Sequence, residues 1–122
     1  MKHASITPYG KSERDKYDAE ITYTDEHLGK LVDFIQKQPW ADRTVIILTS
    51  DHGEAFGEHS MSRHGFEVWE PLVRIPLFVL APGATPRRID VRRSAIDLAP
   101  TILELTGAPA EASFEGKSLV NE

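Results

Sequence analysis

Apolar residues first recur with a helical period between about Ser12 and Pro39. Tyr17, Ile21, Thr24, Leu28, Leu31, Val32 and Ile35 stand three or four residues apart and make one stripe. Glu26 with Lys30, and Asp33 with Lys37, are acid-before-base pairs on the polar side. The pattern predicts one long amphipathic helix, closed by Pro39, lying on something large and flat. The period then changes. Residues 44–50 are a β-branched run without alternation, which predicts a strand covered on both faces, as in a parallel sheet. Residues 51–70 lose periodicity and carry Gly53, Gly57 and Gly65; a loop of this length is usually functional or disordered. A second strand is predicted over residues 74–81, with Pro76 at its start or at a bulge and Pro82-Gly83 as its end. Residues 84–93 are basic and turn-rich, with a short strand expected around residues 89–91. Asp97 reads as an N-cap and Pro100 falls in the first turn of a helix buried through Ile102, Leu103 and Leu105. Gly107 and Pro109 stop it. The order helix, strand, loop, strand, helix predicts a layered α/β fold, a mostly parallel sheet flanked by helices.

The chain length of 122 residues bounds this to a single domain, residues 1–122, with an irregular lead-in over 1–11 and a weakly patterned tail over 110–122. A net charge of −5 without any basic block removes nucleic acid from the expected partners. The absence of Cys removes disulfides, thiolate metal sites and a Cys nucleophile together. Apolar runs only a few residues long predict no membrane span, and no signal-peptide pattern opens the chain. The compartment is left unassigned.

Candidate chemistry concentrates where the first strand ends. Asp51 and His52 follow it directly, and ligands of open α/β sheets sit beyond the carboxyl ends of strands. An adjacent carboxylate and imidazole can ligate one divalent ion if the backbone turns sharply, which Gly53 permits. Taken alone, the pair reads more simply as an Asp that caps the loop and a neutral, hydrogen-bonded His. His59 and His64 bring the count to three His and an Asp within fourteen residues, which keeps a metal site open. Glu54 and Glu58 either complete such a shell or keep the loop soluble; solubility is the simpler role. Asp25 is expected in a structural salt bridge or backbone contact, Arg74 beside an acid that anchors the strand, and the arginines at 87, 88, 92 and 93 on a solvated face. Trp40 and Trp69 are expected to cover core edges.

Four motifs in fixed order carry a resemblance. These are Tyr17-Asp18-Ala19-Glu20-Ile21 with Asp25 and Leu28-Gly29; residues 44–50 followed by Asp51-His52-Gly53-Glu54; Arg74-Ile75-Pro76-Leu77 with Pro82-Gly83; and Asp97-Leu98-Ala99-Pro100-Thr101-Ile102-Leu103, Gly107 and Gly116-Lys117-Ser118-Leu119. Over roughly residues 15–120 the chain resembles the middle-to-late part of the catalytic domain of sulfatases, in the alkaline phosphatase superfamily. The resemblance implies a partial fold of that type and a metal-dependent hydrolase of sulfate esters. Phosphate or phosphonate esters are the alternative within the superfamily.

In the resemblance, Asp51 and His52 hold the positions of two ligands of one divalent ion. Calcium is the usual ion; an imidazole ligand keeps manganese, magnesium and zinc open. His64 falls where the family contacts the sulfate or protonates the leaving oxygen, while His59 matches a more structural position. The family's nucleophile, a Cys or Ser in a Cys/Ser-x-Pro-x-Arg context, and its first pair of acidic ligands have no counterpart here. The chain therefore reads as a fragment that is inactive by itself. A sulfate-ester substrate is the partner expected of the whole enzyme, and self-association through an orphaned sheet edge is expected of this chain. A non-catalytic metal-binding or interaction module is the rival from another class.

Overall fold

A computed structural model describes residues 10–65 and 67–120. The first nine residues of the expected lead-in, Phe66 and the last two residues of the tail lie outside the described residues. The chain forms two compact units, one up to Pro82 and one from Gly83 onward.

The first unit opens with helix α1, Glu13–Gln36. Ser12 starts it through a capping box. Its Oγ accepts from the Asp15 N–H at 3.1 Å, and Asp15 Oδ2 accepts from the Ser12 N–H at 2.9 Å. The helix ends three residues before Pro39, as its pattern requires. Lys30 pairs with Glu26 at 2.7 Å as expected. Tyr17, Leu28, Val32 and Ile35 of the stripe are half-buried, while Ile21, Thr24 and Leu31 are exposed. The described residues thus cover only part of the apolar face. Asp25 is exposed as well, so no buried partner is required of it.

Strand β1, Ile46–Thr49, pairs with strand β4, Leu77–Leu80, with Ile46 opposite Leu80 and Thr49 opposite Leu77. The pairing is antiparallel. The α/β class stands, but no parallel pair occurs among the described residues. An uninterrupted apolar run does not encode the direction of its neighbour, and a mixed sheet accommodates an antiparallel strand. Nor do the described residues cover the strands on both faces: Leu48, Phe78, Val79 and Leu80 are exposed. Pro76 sits immediately before β4, where its missing N–H interrupts no ladder bond.

The segment between them is more structured than its lack of periodicity suggested. Strands β2, Ala55–Phe56, and β3, Ser62–Arg63, form a small antiparallel hairpin, and helix α2 spans Glu70–Val73. His59, Ser60 and Arg63 all take left-handed backbone conformations, and Gly57 has φ 120°. Such a cluster in non-glycine residues is held only when its surroundings fix it. Here the Gly57 N–H donates to Met61 O at 2.7 Å, and the His59 ring stacks on Trp69 with centroids 4.1 Å apart. Tyr17 meets Phe56 edge-on at 5.2 Å, and Arg14 lies over the same ring, so α1 and the hairpin share an aromatic contact. Among the described residues of this unit, Ala55 and Leu72 are the buried apolar ones.

In the second unit, residues 84–93 form no strand, contrary to the one expected around residues 89–91. Ile89 and Val91, two apolar residues without a pairing partner, do not make a ladder. A 3-10 turn at Ala95–Asp97 leads into helix α3, Leu98–Leu105. Asp97 does not cap α3 with its side chain. It is the return arm of a capping box begun by Ser94, whose N–H it accepts at 3.0 Å. Its other oxygen accepts the Lys117 N–H at 2.8 Å, and buried Thr101 accepts the Leu119 N–H at 3.0 Å. A Cβ on Gly116 would lie 2.1 Å from Ile96 O. The weakly patterned residues 116–119 are thereby held against α3. Among the described residues no helix is long and apolar enough to cross a membrane.

Candidate functional site

The site grows from the end of β1. Thr49 Oγ1 donates to Pro76 O at 2.8 Å, clamping the last residue of β1 to the residue before β4. Ser50 Oγ then donates to His52 O at 2.6 Å, folding the chain over immediately after the strand. Gly53 locks the turn by close approach, with its N–H on Leu72 O at 2.7 Å and no room for a Cβ beside Pro71 O. Its backbone is not left-handed, so the glycine serves proximity and not the turn freedom expected of it.

Asp51 and His52 therefore leave the fold side by side. Asp51 Oδ1 accepts the His52 N–H at 2.9 Å and lies 3.9 Å from His52 Nε2. Backbone N–H groups of Asp51 and His52, then the adjacent imidazole, hold the Asp51 carboxyl below its ordinary value. His52 Nδ1 is 2.8 Å from Gly53 O. A carbonyl only accepts, so Nδ1 carries the proton and Nε2 is left with its lone pair. That is the usual arrangement of a ligating histidine, whose other nitrogen donates to a carbonyl or carboxylate.

Two donors of one ion, each at about 2.0–2.6 Å, can stand 3.9 Å apart, so this pair fits a divalent cation. Both side chains are open to solvent, with Asp51 88% and His52 46% exposed. No group of three or more potential ligands occurs among the described residues. The chain thus brings two donors together and not a closed cage.

His64 joins them through the hairpin. Ala55 pairs with Arg63, so the next cross-strand position sets Glu54 beside His64. His64 Nδ1 lies 3.1 Å from Glu54 Oε2, and its ring is 4.3 Å from that of His52, tilted by 30°. Asp51, His52 and His64 therefore share one end of the fold. His59 is directed to Trp69 instead, in keeping with a structural position. Glu58 accepts the Phe56 N–H at 2.6 Å and lies 4.0 Å from Arg14, so it serves the hairpin. Glu54 departs from its expected role as a solubilising residue, because only 16% of its side chain is exposed. Arg74 pairs with Glu70 at 3.6 Å at the surface.

A family model described as Sulfatase matches residues 2–108. The chain belongs to the sulfatase family. A sulfatase of Formosa agariphila is 37% identical over 106 residues, covering 85% of this chain and 20% of that protein. Choline-sulfatase of Rhizobium meliloti is 34% identical over 98 residues, covering 80% and 19%. Arylsulfatase K of Canis lupus familiaris is 32% identical over 111 residues, covering 90% and 21%. Among solved structures, a phosphonate monoester hydrolase of Silicibacter pomeroyi superposes with a TM-score of 0.73 at 32% identity, covering 80% of this sulfatase-family chain and 19% of its own. Family and fold agree on the alkaline phosphatase superfamily. This member spans about a fifth of the length of the curated relatives it matches.

Proposed function

We propose that this chain supplies part of the active centre of a metal-dependent sulfuric ester hydrolase. One observation carries the reading: Asp51 and His52 emerge together at the end of β1 with His64 against the His52 ring. Asp51 and His52 would hold one divalent ion, calcium by family habit, with manganese, magnesium or zinc compatible with an imidazole ligand. Held by Asp51 and His52, such an ion would supply Lewis-acid polarisation of the ester and charge neutralisation. The Gly53 carbonyl keeps the His52 Nε2 lone pair available, and backbone N–H groups keep Asp51 ionised. His64 faces the leaving oxygen and holds or returns a proton there.

The chain contains no Cys, and no Ser or Thr in a Ser/Thr-x-Pro-x-Arg pattern, so the attacking group comes from outside these residues. The isolated chain is expected to turn over no aryl sulfate. Turnover that disappears in Asp51→Ala would overturn that corollary. For the site itself, calorimetric titration with calcium and manganese should show binding that is lost in both Asp51→Ala and His52→Ala. Binding retained in both variants would remove the ligand assignment.

The phosphonate monoester hydrolase likeness and the imidazole at position 52 favour a second reading, in which the ester is a phosphonate or phosphate. Parallel assays of the full-length enzyme on aryl sulfate and aryl phosphonate separate the two. Exposed Ile21, Leu31 and Phe34 on α1, and Phe78 on β4, also support self-association of the isolated chain. A single monomeric species in sedimentation would refute it.

A further inference from the structure

Glu54 is the most deeply placed carboxylate near the candidate site, and the role proposed above makes no use of it. Its Oε2 is 3.1 Å from His64 Nδ1, while its Oε1 is buried with no hydrogen-bond partner. A carboxylate oxygen removed from water without a partner is costly, so a residue of this kind needs a reason to be there. The hairpin register provides one: Glu54 and His64 occupy the first cross-strand position beyond Ala55 and Arg63. Their contact is set by the same ladder that brings His64 back to His52.

We infer that Glu54 is the positioning residue of His64, fixing its ring orientation and its tautomer. A carboxylate offers lone pairs, so the proton of neutral His64 resides on Nδ1 and Nε2 is the nitrogen presented outward. His52 is held in the same tautomer by the Gly53 carbonyl. The two tilted rings, 4.3 Å apart, therefore share a tautomer fixed by different means, a backbone carbonyl for one and a side chain for the other. Only the second can be altered by substitution. This deepens the proposed function: Nε2 is the atom that would meet the leaving oxygen, and with Nδ1 engaged by Glu54 it is the nitrogen that would take up a proton and then pass it to that oxygen.

The test is long-range proton–nitrogen correlation NMR on the metal-free chain with 15N-labelled histidine, at a pH where the imidazoles are neutral. In the wild type His64 is expected as the Nδ1–H form. Glu54→Gln, whose amide oxygen still accepts, should keep that form. Glu54→Ala should move His64 toward the Nε2–H form, reversing which nitrogen shows the protonated-type shift, while His52 stays unchanged. An Nε2–H form of His64 in the wild type overturns the inference without recourse to any variant, as does an unchanged tautomer in a folded Glu54→Ala. The readout needs no ion, so failure of the ligand assignment and failure of this inference are separable.

Discussion

Gly53→Ala tests whether the turn beneath Asp51 and His52 depends on close backbone approach. The added Cβ would lie 2.0 Å from Pro71 O, 3.1 Å from the Pro71 carbonyl carbon and 3.4 Å from Leu72 Cα. All three are backbone atoms, so no side chain can rotate out of the way. An ordinary contact begins near 3.4 Å, so a retreat of about 1.4 Å is required. The hydrogen bond from the Gly53 N–H to Leu72 O is 2.7 Å long and would stretch past the limit of a real bond. Overpacking of this kind costs ~1–3 kcal/mol. The lost hydrogen bond adds ~0.5–1.5 kcal/mol. The stiffer unfolded chain returns ~0.4–1 kcal/mol.

The net is a destabilisation of about 2 kcal/mol, roughly thirtyfold in the folding equilibrium. Urea unfolding followed by tryptophan fluorescence should show it as a midpoint lowered by about 1 M, since slopes for small proteins are ~1–3 kcal/mol per molar. A change within about 0.5 kcal/mol would place Gly53→Ala among ordinary surface substitutions and refute the argument. The cation affinity of the Asp51 and His52 pair should fall with it, because the same contact sets their exit from the strand.

Gly29→Ala is the counterpart with the opposite sign: the residue sits inside α1 with nothing within 4 Å of its Cβ position, so the same urea assay should show a gain of ~0.5–1 kcal/mol. Thr101→Val should cost ~1–3 kcal/mol, because it leaves the Leu119 N–H without its acceptor; hydrogen exchange should accelerate at Leu119. Asp97 accepts the Lys117 and Ser94 N–H groups, which hold its carboxyl below the ordinary value of 3.8. The folded state therefore binds the proton more weakly than the unfolded one. The stability it contributes is present above about pH 4 and lost as pH falls through the lowered value. The Lys117 amide resonance should shift in that acid window, and Asp97→Asn should abolish the shift.

The legible parts were those whose physics is local. Ser12, the spacing from Tyr17 to Ile35, and Pro39 specify α1 without reference to the rest of the chain. Residues 46–49 and 77–80 announce strands by composition, yet nothing in either run states that they pair antiparallel, because direction depends on the connection between them. Asp51 and His52 were readable as a candidate pair from their place after a strand. The Glu54 contact was not, since it is created by the β2–β3 register, and two-residue strands are too short to give a period-2 signal. The roles of Asp97 and Thr101 in holding residues 116–119 were hidden for a related reason. A hydrogen bond spanning about twenty residues leaves no mark in either partner's neighbourhood.

Exposure divides the candidate site in a way that bears on its use. Asp51 and His52 stand 88% and 46% exposed, while the Glu54 carboxylate behind His64 is only 16% exposed. Groups that would bind an incoming ion keep their hydration until it arrives, and the group that would orient a ring is withdrawn from water. Desolvating Asp51 without a bound cation would raise its carboxyl toward the neutral form and oppose ligation. Leaving Glu54 in water would let solvent compete for His64 Nδ1. The three constraints that produce this division are Thr49 on Pro76, Gly53 on Leu72, and the hairpin register. All lie within residues 49–76, so the candidate site can hold its arrangement in a chain that spans a fifth of its relatives' length.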